Sequence, residues 1–250
     1  MTYNVHGCRG RDRQYAPQRI ADVIASAEPD IVALQELDVF RARSGGVDQA
    51  ELIAAALGMR THFFPALQVM EERYGDAILT ACPSRQIKAG ALPGLPKLRQ
   101  LEPRGALWAA VTVSGQEIQI INTHLGLLSR ERQHQIDVLL GPEWLGHPDC
   151  RDPVMLVGDF NAPPHSRTHR RLRAARLQDA QRLYTGGWRG TFPSRLPALR
   201  IDYAFVSPGI AVQRVDTIRT PLARVASDHL PLVVDIEIDP TLVPAQQAAQ

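Results

Sequence analysis

Two rhythms of apolar residues run along this chain, one helical and one extended. From Pro17 to Ala27, Ile20, Val23, Ile24 and Ala27 recur at the i, i+3, i+4, i+7 spacing of a helix face, and Pro17 suits a first turn. After Pro29 the run Asp30-Ile-Val-Ala-Leu34 is short, apolar and β-branched, the pattern of a strand buried on both faces. Gln49 to Leu57 predicts a second helix, stopped by Gly58. The middle of the chain is strand-like over Tyr74–Thr80, Gly105–Val113 and Glu117–Thr123, with Ser114-Gly115 as the clearest hairpin turn. Ser129 to Leu140 predicts a helix with Ser129 as N-cap and Gly141 beyond its end. A strand at Val154–Val157 and a basic helix from Ser166 to Arg176 follow. Further strands are expected at Ile201–Val206, Ala211–Ile218 and Pro231–Ile238. Helices mixed with this many strands imply a layered α/β protein whose strands are not all parallel.

No Pro/Gly/Ser-rich linker divides the 250 residues, so residues 1–239 read as one domain, with 240–250 as a frayed tail. Hydrophobic residues (44%) suffice for a sizeable core, and a net charge of +2 is too mild to argue by itself for nucleic acid or an anionic membrane. Cys8, Cys82 and Cys150 are odd in number and lack CxxC spacing, which argues against a disulfide scaffold and suits a reduced, cytoplasmic protein. The first residues lack the apolar core of a signal peptide, and no run of about 18 apolar residues could span a bilayer. The chain enters its first strand at Thr2 with almost nothing ahead of it, which points to a segment upstream.

Candidate chemistry changes the picture more than composition does. Polar residues gather at the carboxyl ends of apolar strands: Glu36, His124, and Asp159 with Asn161; Asp228 and His229 immediately precede Pro-Leu-Val-Val. Strand ends are where α/β folds place ligands, because a rigid sheet holds side chains exposed by the loops. In Gly158-Asp-Phe-Asn161 the two polar residues would share one side of an extended segment; the bland alternative is a turn. In Ser227-Asp-His-Leu-Pro231 the neighbours Asp228 and His229 would face different partners, against an Asx-type turn with a packed histidine. Glu36 alone is a weaker signal, because a glutamate after a strand is often only a solvated end. Asp202 stands inside the apolar stretch Ile201–Phe205, where a buried acid needs either a cation or an arginine. Glu36, Asp159, Asp202 and Asp228 are hard oxygen donors suited to Mg²⁺, Mn²⁺ or Ca²⁺, with neither zinc spacing nor HExxH present. The implied substrate is an anion able to share that cation, and phosphate fits best.

Thr2-Tyr-Asn4, Ala33-Leu-Gln-Glu36, Asn122-Thr-His124, Gly158-Asp-Phe-Asn161, Arg200-Ile-Asp-Tyr203 and Ser227-Asp-His229, taken in that order, resemble the endonuclease/exonuclease/phosphatase superfamily. That superfamily includes deoxyribonuclease I, abasic-site endonucleases, inositol polyphosphate 5-phosphatases and bacterial sphingomyelinases. The resemblance covers nearly the whole chain. It implies a four-layer α/β/β/α sandwich of two mixed sheets with helices outside, and Mg²⁺-dependent hydrolysis of a phosphoester, with Mn²⁺ able to substitute. By the same resemblance Glu36 would be the main metal ligand, with Asn4 and Asp228 completing the metal site. Asp159 would orient and deprotonate the attacking water, and Asn161 would hold a phosphate oxygen. His229 would be steered by Asp202, and His124 would bind phosphate. His6 departs from the pattern, standing where abasic-site endonucleases carry an acid. The short Asn-Val-His-Gly opening is closest in flavour to small bacterial members.

Arg104 is a further candidate phosphate contact. The five arginines between Arg167 and Arg176 suit either an ordinary solvated helix or a guide for a nucleic-acid backbone. Trp188 and Phe192, in a glycine-rich stretch, suit a loop that stacks on a base or lipid, or a plug over the core. His62, His134, His147, His165 and His169 read as surface or structural. Three functions remain open: a monomeric phosphodiesterase or phosphatase acting on a small molecule or lipid headgroup, a DNA or RNA nuclease using the same site, and a silent binding protein on the same scaffold. Compactness and mild charge favour the first; the intact motif set argues against the third.

Overall fold

Ser114 and Gly115 take φ values of 50° and 80°, the two left-handed positions that a tight hairpin demands, and they turn β6 (Arg104–Val113) into β7 (Gln116–His124). In the computed structural model, which describes residues 1–238 except Pro96, Lys97, Arg99, Arg176, Thr185 and Trp188, this hairpin lies inside one of two six-stranded sheets. The expected tail and Trp188 thus lie outside the described residues.

The first sheet has the order β11 (Ile210–Thr217), β12 (Leu232–Ile238), β1 (Thr2–Asn4), β2 (Ile31–Val39), β4 (Glu72–Thr80), β3 (Arg60–Val69). The second has the order β5 (Ser84–Leu92), β6, β7, β8 (Val154–Asp159), β10 (Asp202–Val206), β9 (Gln178–Asp179). Each sheet holds one parallel pair, β1 with β2 and β7 with β8, and is otherwise antiparallel. Both are therefore mixed, as expected.

Strand periodicity builds the layers. Along β2, Val32 and Leu34 face a core shared with Ile20, Val23 and Ile24 of α1 (Pro17–Ala25) and Ile53 of α2 (Gln49–Leu57). Ala33, between them, faces the core between the sheets. Along β8, Leu156 joins Ile136 and Leu139 of α3 (Ser129–Leu139) and Leu172 of α4 (Arg167–Ala174), while Met155 and Val157 face inward. Every second side chain changes layer, yet both layers are dry, so these strands read as unbroken apolar runs. The result is an α/β/β/α sandwich.

Local chemistry sets most helix ends. Asp48 caps α2 by accepting the Glu51 amide at 3.0 Å, and Gly58 ends it at a φ of 65°. Two short helices, α5 (Ala180–Leu183) and α6 (Pro221–Ala226), were not expected; Thr220 caps α6 through the Ala223 amide at 3.1 Å. Ser129 is not an N-cap: Leu128 holds that position without a side-chain bond, and Ser129 is already helical. Helix α1 stops at Ala25, short of Ala27, and α4 at Ala174. The arginines of α4 clothe an ordinary packed helix: Thr168, His169 and Leu172 are buried, and Arg171 pairs with Asp137 of α3.

The expectation that β2 ends near Leu34 is corrected in a way that matters for the site. The strand continues to Val39 through a bulge, where pairing with β4 jumps from Leu34↔Ala77 to Leu37↔Gly75. Leu34 and Ala77 are the last pair before the jump. Asn122, on β7 of the opposite sheet, donates to both at 2.8 and 2.9 Å and accepts from Gln35 Nε2 at 2.7 Å. One buried amide thus ties the two sheets together at the bulge. Asn122→Leu keeps the branched shape and removes three buried hydrogen bonds, so it is predicted to cost roughly 2–4 kcal/mol, at about 0.5–1.5 kcal/mol for each bond. Urea unfolding of the variant checks this; a loss below about 0.5 kcal/mol would show that the carbonyls find other partners.

Candidate active site

The bulge is what aims Glu36. Its φ of 64° is left-handed, a conformation that turns its side chain out of the strand's alternation and into the cleft at the carboxyl ends of β1, β7 and β8. Glu36 is therefore not a strand-end residue, as the sequence suggested, but sits within β2. Asn4, the last residue of β1, splits its amide between two acids, donating to Glu36 Oε1 at 2.9 Å and to Asp159 Oδ2 at 3.1 Å.

Three neighbouring strands deliver the next residues in register. His124 ends β7, Asp159 ends β8 and Asp202 begins β10, with His124 paired to Asp159 and Asp159 to Asp202. The strands approach closely only because residue 158 is glycine: at its φ of 139° a Cβ would stand 1.8 Å from the Thr123 carbonyl oxygen. Beyond Asp159 the chain does not stay extended. Asn161 has a φ of 47°, its amide N–H donates to Asp159 Oδ1 at 2.8 Å, and its Nδ2 donates to the Leu125 carbonyl. Asp159 and Asn161 converge through this tight turn and not through strand alternation.

Asp228 and His229 lie in the loop between α6 and β12 and face different partners. His229 Nδ1 meets Asp202 Oδ2 at 2.9 Å, so the partner of Asp202 is this histidine and not an arginine. Among the described residues the other oxygen, Asp202 Oδ1, is buried without a hydrogen-bond partner. Asp228 Oδ2 meets His6 Nδ1 at 3.1 Å. Ser227 braces the loop, donating to the Asn4 carbonyl at 2.8 Å and accepting the His229 amide at 3.2 Å.

Charge is concentrated here. Burial, followed by the Asp202 charge, pushes Asp159 up to about 7. Burial alone would lower the pKa of His229, but the Asp202 and Asp159 carboxylates outweigh it and push it up to about 10. His229 is thus an imidazolium at neutral pH. For His124, burial and then the charges of Arg104 and His229 push the pKa well below its ordinary value, so its ring is neutral. Arg104 Nη1 lies 2.8 Å from His124 Nδ1 and Asn161 Nδ2 lies 3.1 Å from His124 Nε2, so both ring nitrogens face a donor. Nε2 also lies 3.5 Å from Asp159 Oδ2 and 3.9 Å from Glu36 Oε1. Arg104 itself is buried, its Nη1 shared with Glu102 at 2.6 Å.

Asp159, Asp202 and His229 each offer one ligand atom, all within 4.8 Å of one another, a buried set able to hold a divalent metal. No helix among the described residues is long and apolar enough to cross a membrane.

The model of the Endonuclease/Exonuclease/phosphatase family matches residues 1–229. The chain belongs to that family. Escherichia coli (strain K12) has a relative, the uncharacterized protein YbhP, 25% identical over 250 residues and covered to 95% on both chains. Among solved structures, a functionally unknown conserved protein from Enterococcus faecalis V583 superposes with a TM-score of 0.76 at 24% identity, covering 95% of this chain and 98% of that one. A mannosyl-6-phosphatase from Bacteroides thetaiotaomicron superposes with a TM-score of 0.75 at 22% identity and the same coverage.

Within this family scaffold some site residues escaped the sequence. Asp76 is buried in β4; burial raises its pKa to about 8 against the pull of Arg104 and the Glu36 amide. An acid in an apolar run was its signal, the same one that marked Asp202. Phe192 packs its ring 4.9 Å from that of His229, fixing the imidazole and not standing free to stack on a base. The glycine at 158 yields a test. Gly158→Ala is predicted to cost at least about 2 kcal/mol, as positive φ and backbone overlap both oppose it. Gly94, where a Cβ meets nothing within 4 Å, is the control and should change stability by less than about 0.5 kcal/mol on mutation to alanine. Equal denaturation midpoints for the two variants would contradict the close approach.

Proposed function

We propose that this protein is a Mg²⁺-dependent phosphoester hydrolase, a cytoplasmic monomer acting on a small-molecule or lipid-headgroup phosphate. The carrying observation is the crowding around one oxygen, Asp159 Oδ2, which has Asn4 Nδ2 at 3.1 Å, His124 Nε2 at 3.5 Å and His229 Nε2 at 3.7 Å. A carboxylate held near neutrality beside nitrogen donors suits general base catalysis next to an anionic substrate.

The residues present fit a hard divalent cation. Glu36 and Asp159 share one neutral amide, and Asp202 Oδ1 is orphaned, so the acids lack full compensation from the protein. Glu36, Asn4 and Asp228 would hold the ion. The tighter group of Asp159, Asp202 and His229 suits it less, because a protonated imidazole has no lone pair and Mg²⁺ favours oxygen. A bound cation would neutralise charge on the phosphate oxygens as the ester bond breaks. Asp159 accepts a proton from the attacking water. Asn161 and His124 hold phosphate oxygens, and Arg104 positions the His124 ring through Nδ1. His229, oriented by Asp202, donates to the phosphate as negative charge grows.

The small-substrate preference rests on the outer face of α4, whose Arg171 is engaged by Asp137, and on the absence of a helix poised as a groove reader among the described residues. The likeness in fold to a protein named mannosyl-6-phosphatase supports the same choice. A screen across plasmid DNA, abasic DNA, RNA, inositol phosphates and phospholipids, with Mg²⁺, Mn²⁺, Zn²⁺ or EDTA, tests the reading. Turnover is expected with Mg²⁺ or Mn²⁺, to vanish in EDTA, and to fall roughly 10²-fold or more in kcat for Asp159→Asn with KM little changed. Full activity in EDTA would refute the metal dependence. Fastest turnover on DNA, with a steep salt dependence of binding, would make the enzyme a nuclease.

A further inference from the structure

Beside the catalytic cleft the loop following β1 forms a second, strongly basic pocket. It has a volume of about 160 Å³, several times the ~30 Å³ of a water in the liquid, and is lined by His6, Arg9, Gly10, Arg11, Arg13 and Asp228. Two of these residues, His6 and Asp228, also form the rim of the catalytic site, so the two cavities share a wall.

The loop is built to present arginines. Gly10 donates to the Gln14 carbonyl at 2.9 Å, Arg13 to the Gly10 carbonyl at 2.8 Å, and the Arg11 amide to the Val225 carbonyl at 2.9 Å. Asp12, the loop's one acid, is taken by Arg19 of α1 in a bidentate pair at 2.6 and 3.0 Å, and also accepts the Gln14 amide. Gly10 admits this pair, since a Cβ there would stand 2.0 Å from Arg19 Nη2. With Asp12 engaged and Asp228 matched by His6, the pocket keeps the charges of Arg9, Arg11 and Arg13. Arg9 lies over the Tyr15 ring at 6.0 Å, and none of the three has an ion-pair partner among the described residues. The hydrogen-bonded turn fixes the backbone from which these arginines extend beside the phosphate site, an arrangement suited to an anion.

We propose that this pocket binds a second anionic group of the substrate, making the preferred substrate a phosphate ester that carries another phosphate near the scissile one. This rests on the phosphoester-hydrolase reading and narrows its substrate class. Arg11 and Arg13, both exposed, supply most of the selectivity, and Arg9 closes the inner side.

Equilibrium binding with Mg²⁺ on the Asp159→Asn background separates recognition from turnover. The soluble probes are glucose bisphosphate and each glucose monophosphate. A second arm uses phosphatidylcholine vesicles carrying phosphatidylinositol or its monophosphate. The bisphosphorylated probe is expected to bind at least about tenfold more tightly, in the soluble arm for a free substrate or on vesicles for a lipid headgroup. Arg11→Ala combined with Arg13→Ala should erase that preference, and lysine at both positions should restore part of it. Arg214→Ala, on β11 and paired with Asp216, removes charge elsewhere and should leave the preference intact. No preference in either arm, or one that survives the double alanine variant, overturns the pocket. If wild type hydrolyses no phosphate ester while the arginine-dependent preference persists, the hydrolase reading fails and the anion pocket stands.

Discussion

The structure turns on one buried amide. Asn122 reaches from the second sheet into the first and donates to the Leu34 and Ala77 carbonyls at the edge of the β2 bulge. Those bonds hold the bulge against the opposite sheet, where a regular β2 would otherwise compete. A regular strand, however, would return Glu36 to ordinary alternation and take its carboxylate out of the cleft. Sheet pairing, inter-sheet attachment and the placement of the principal acid are therefore one arrangement.

The second organising feature is the division of labour among groups of like charge. Asp159 lies between His124 and Asp202 on adjacent strands, and its carboxyl is pushed towards neutrality by burial and by Asp202. His229 answers as a cation held by Asp202, while His124 stays neutral behind Arg104. Two histidines in one cleft thus have their pKa values pushed apart, His229 raised by its carboxylates and His124 lowered by burial and then by the charges of Arg104 and His229. The Nε2 atoms of both lie within 3.7 Å of the same oxygen of Asp159. The site gathers its nitrogens around a single point, a geometry suited to an incoming anion with developing charge.

Much of this was legible in the sequence, and the exceptions have physical causes. Dry strands announce themselves as apolar runs, and their polar termini at His124 and Asp159 mark the cleft. The edge strands β3 and β5 escaped because edges need only one good face. β3 carries Pro65 at a register shift, and β5 carries a shift between Gln86 and Lys88, so neither shows clean alternation. The β2 bulge has no local signature, since the positive φ of Glu36 is imposed by tertiary contacts and not favoured by glutamate itself. The local sequence showed Asp202 only as an acid needing a cation or an arginine; the family resemblance named His229, 27 residues away, and the two side chains do meet. Asp76 carried the same signal and went unread. The basic loop from Arg9 to Arg13 looked unremarkable until Arg19 was seen to remove its only acid.

The most direct test of the proposed metal site is a stability measurement that needs no substrate. Glu36→Gln removes one charge at nearly constant volume and keeps an acceptor for Asn4. Thermal melts of wild type and variant, each in EDTA and in excess Mg²⁺, separate a cation site from a structural ion pair. If Glu36 belongs to a cation site, the variant in EDTA is as stable as wild type or slightly more so, because repulsion among the acids is relieved. Mg²⁺ then raises the melting temperature of wild type by mass action, and the variant loses most of that increment. If Glu36 serves instead as half of a structural ion pair, the substitution costs on the order of 3 kcal/mol even in EDTA. A large loss in EDTA with an unchanged Mg²⁺ increment would contradict the assignment.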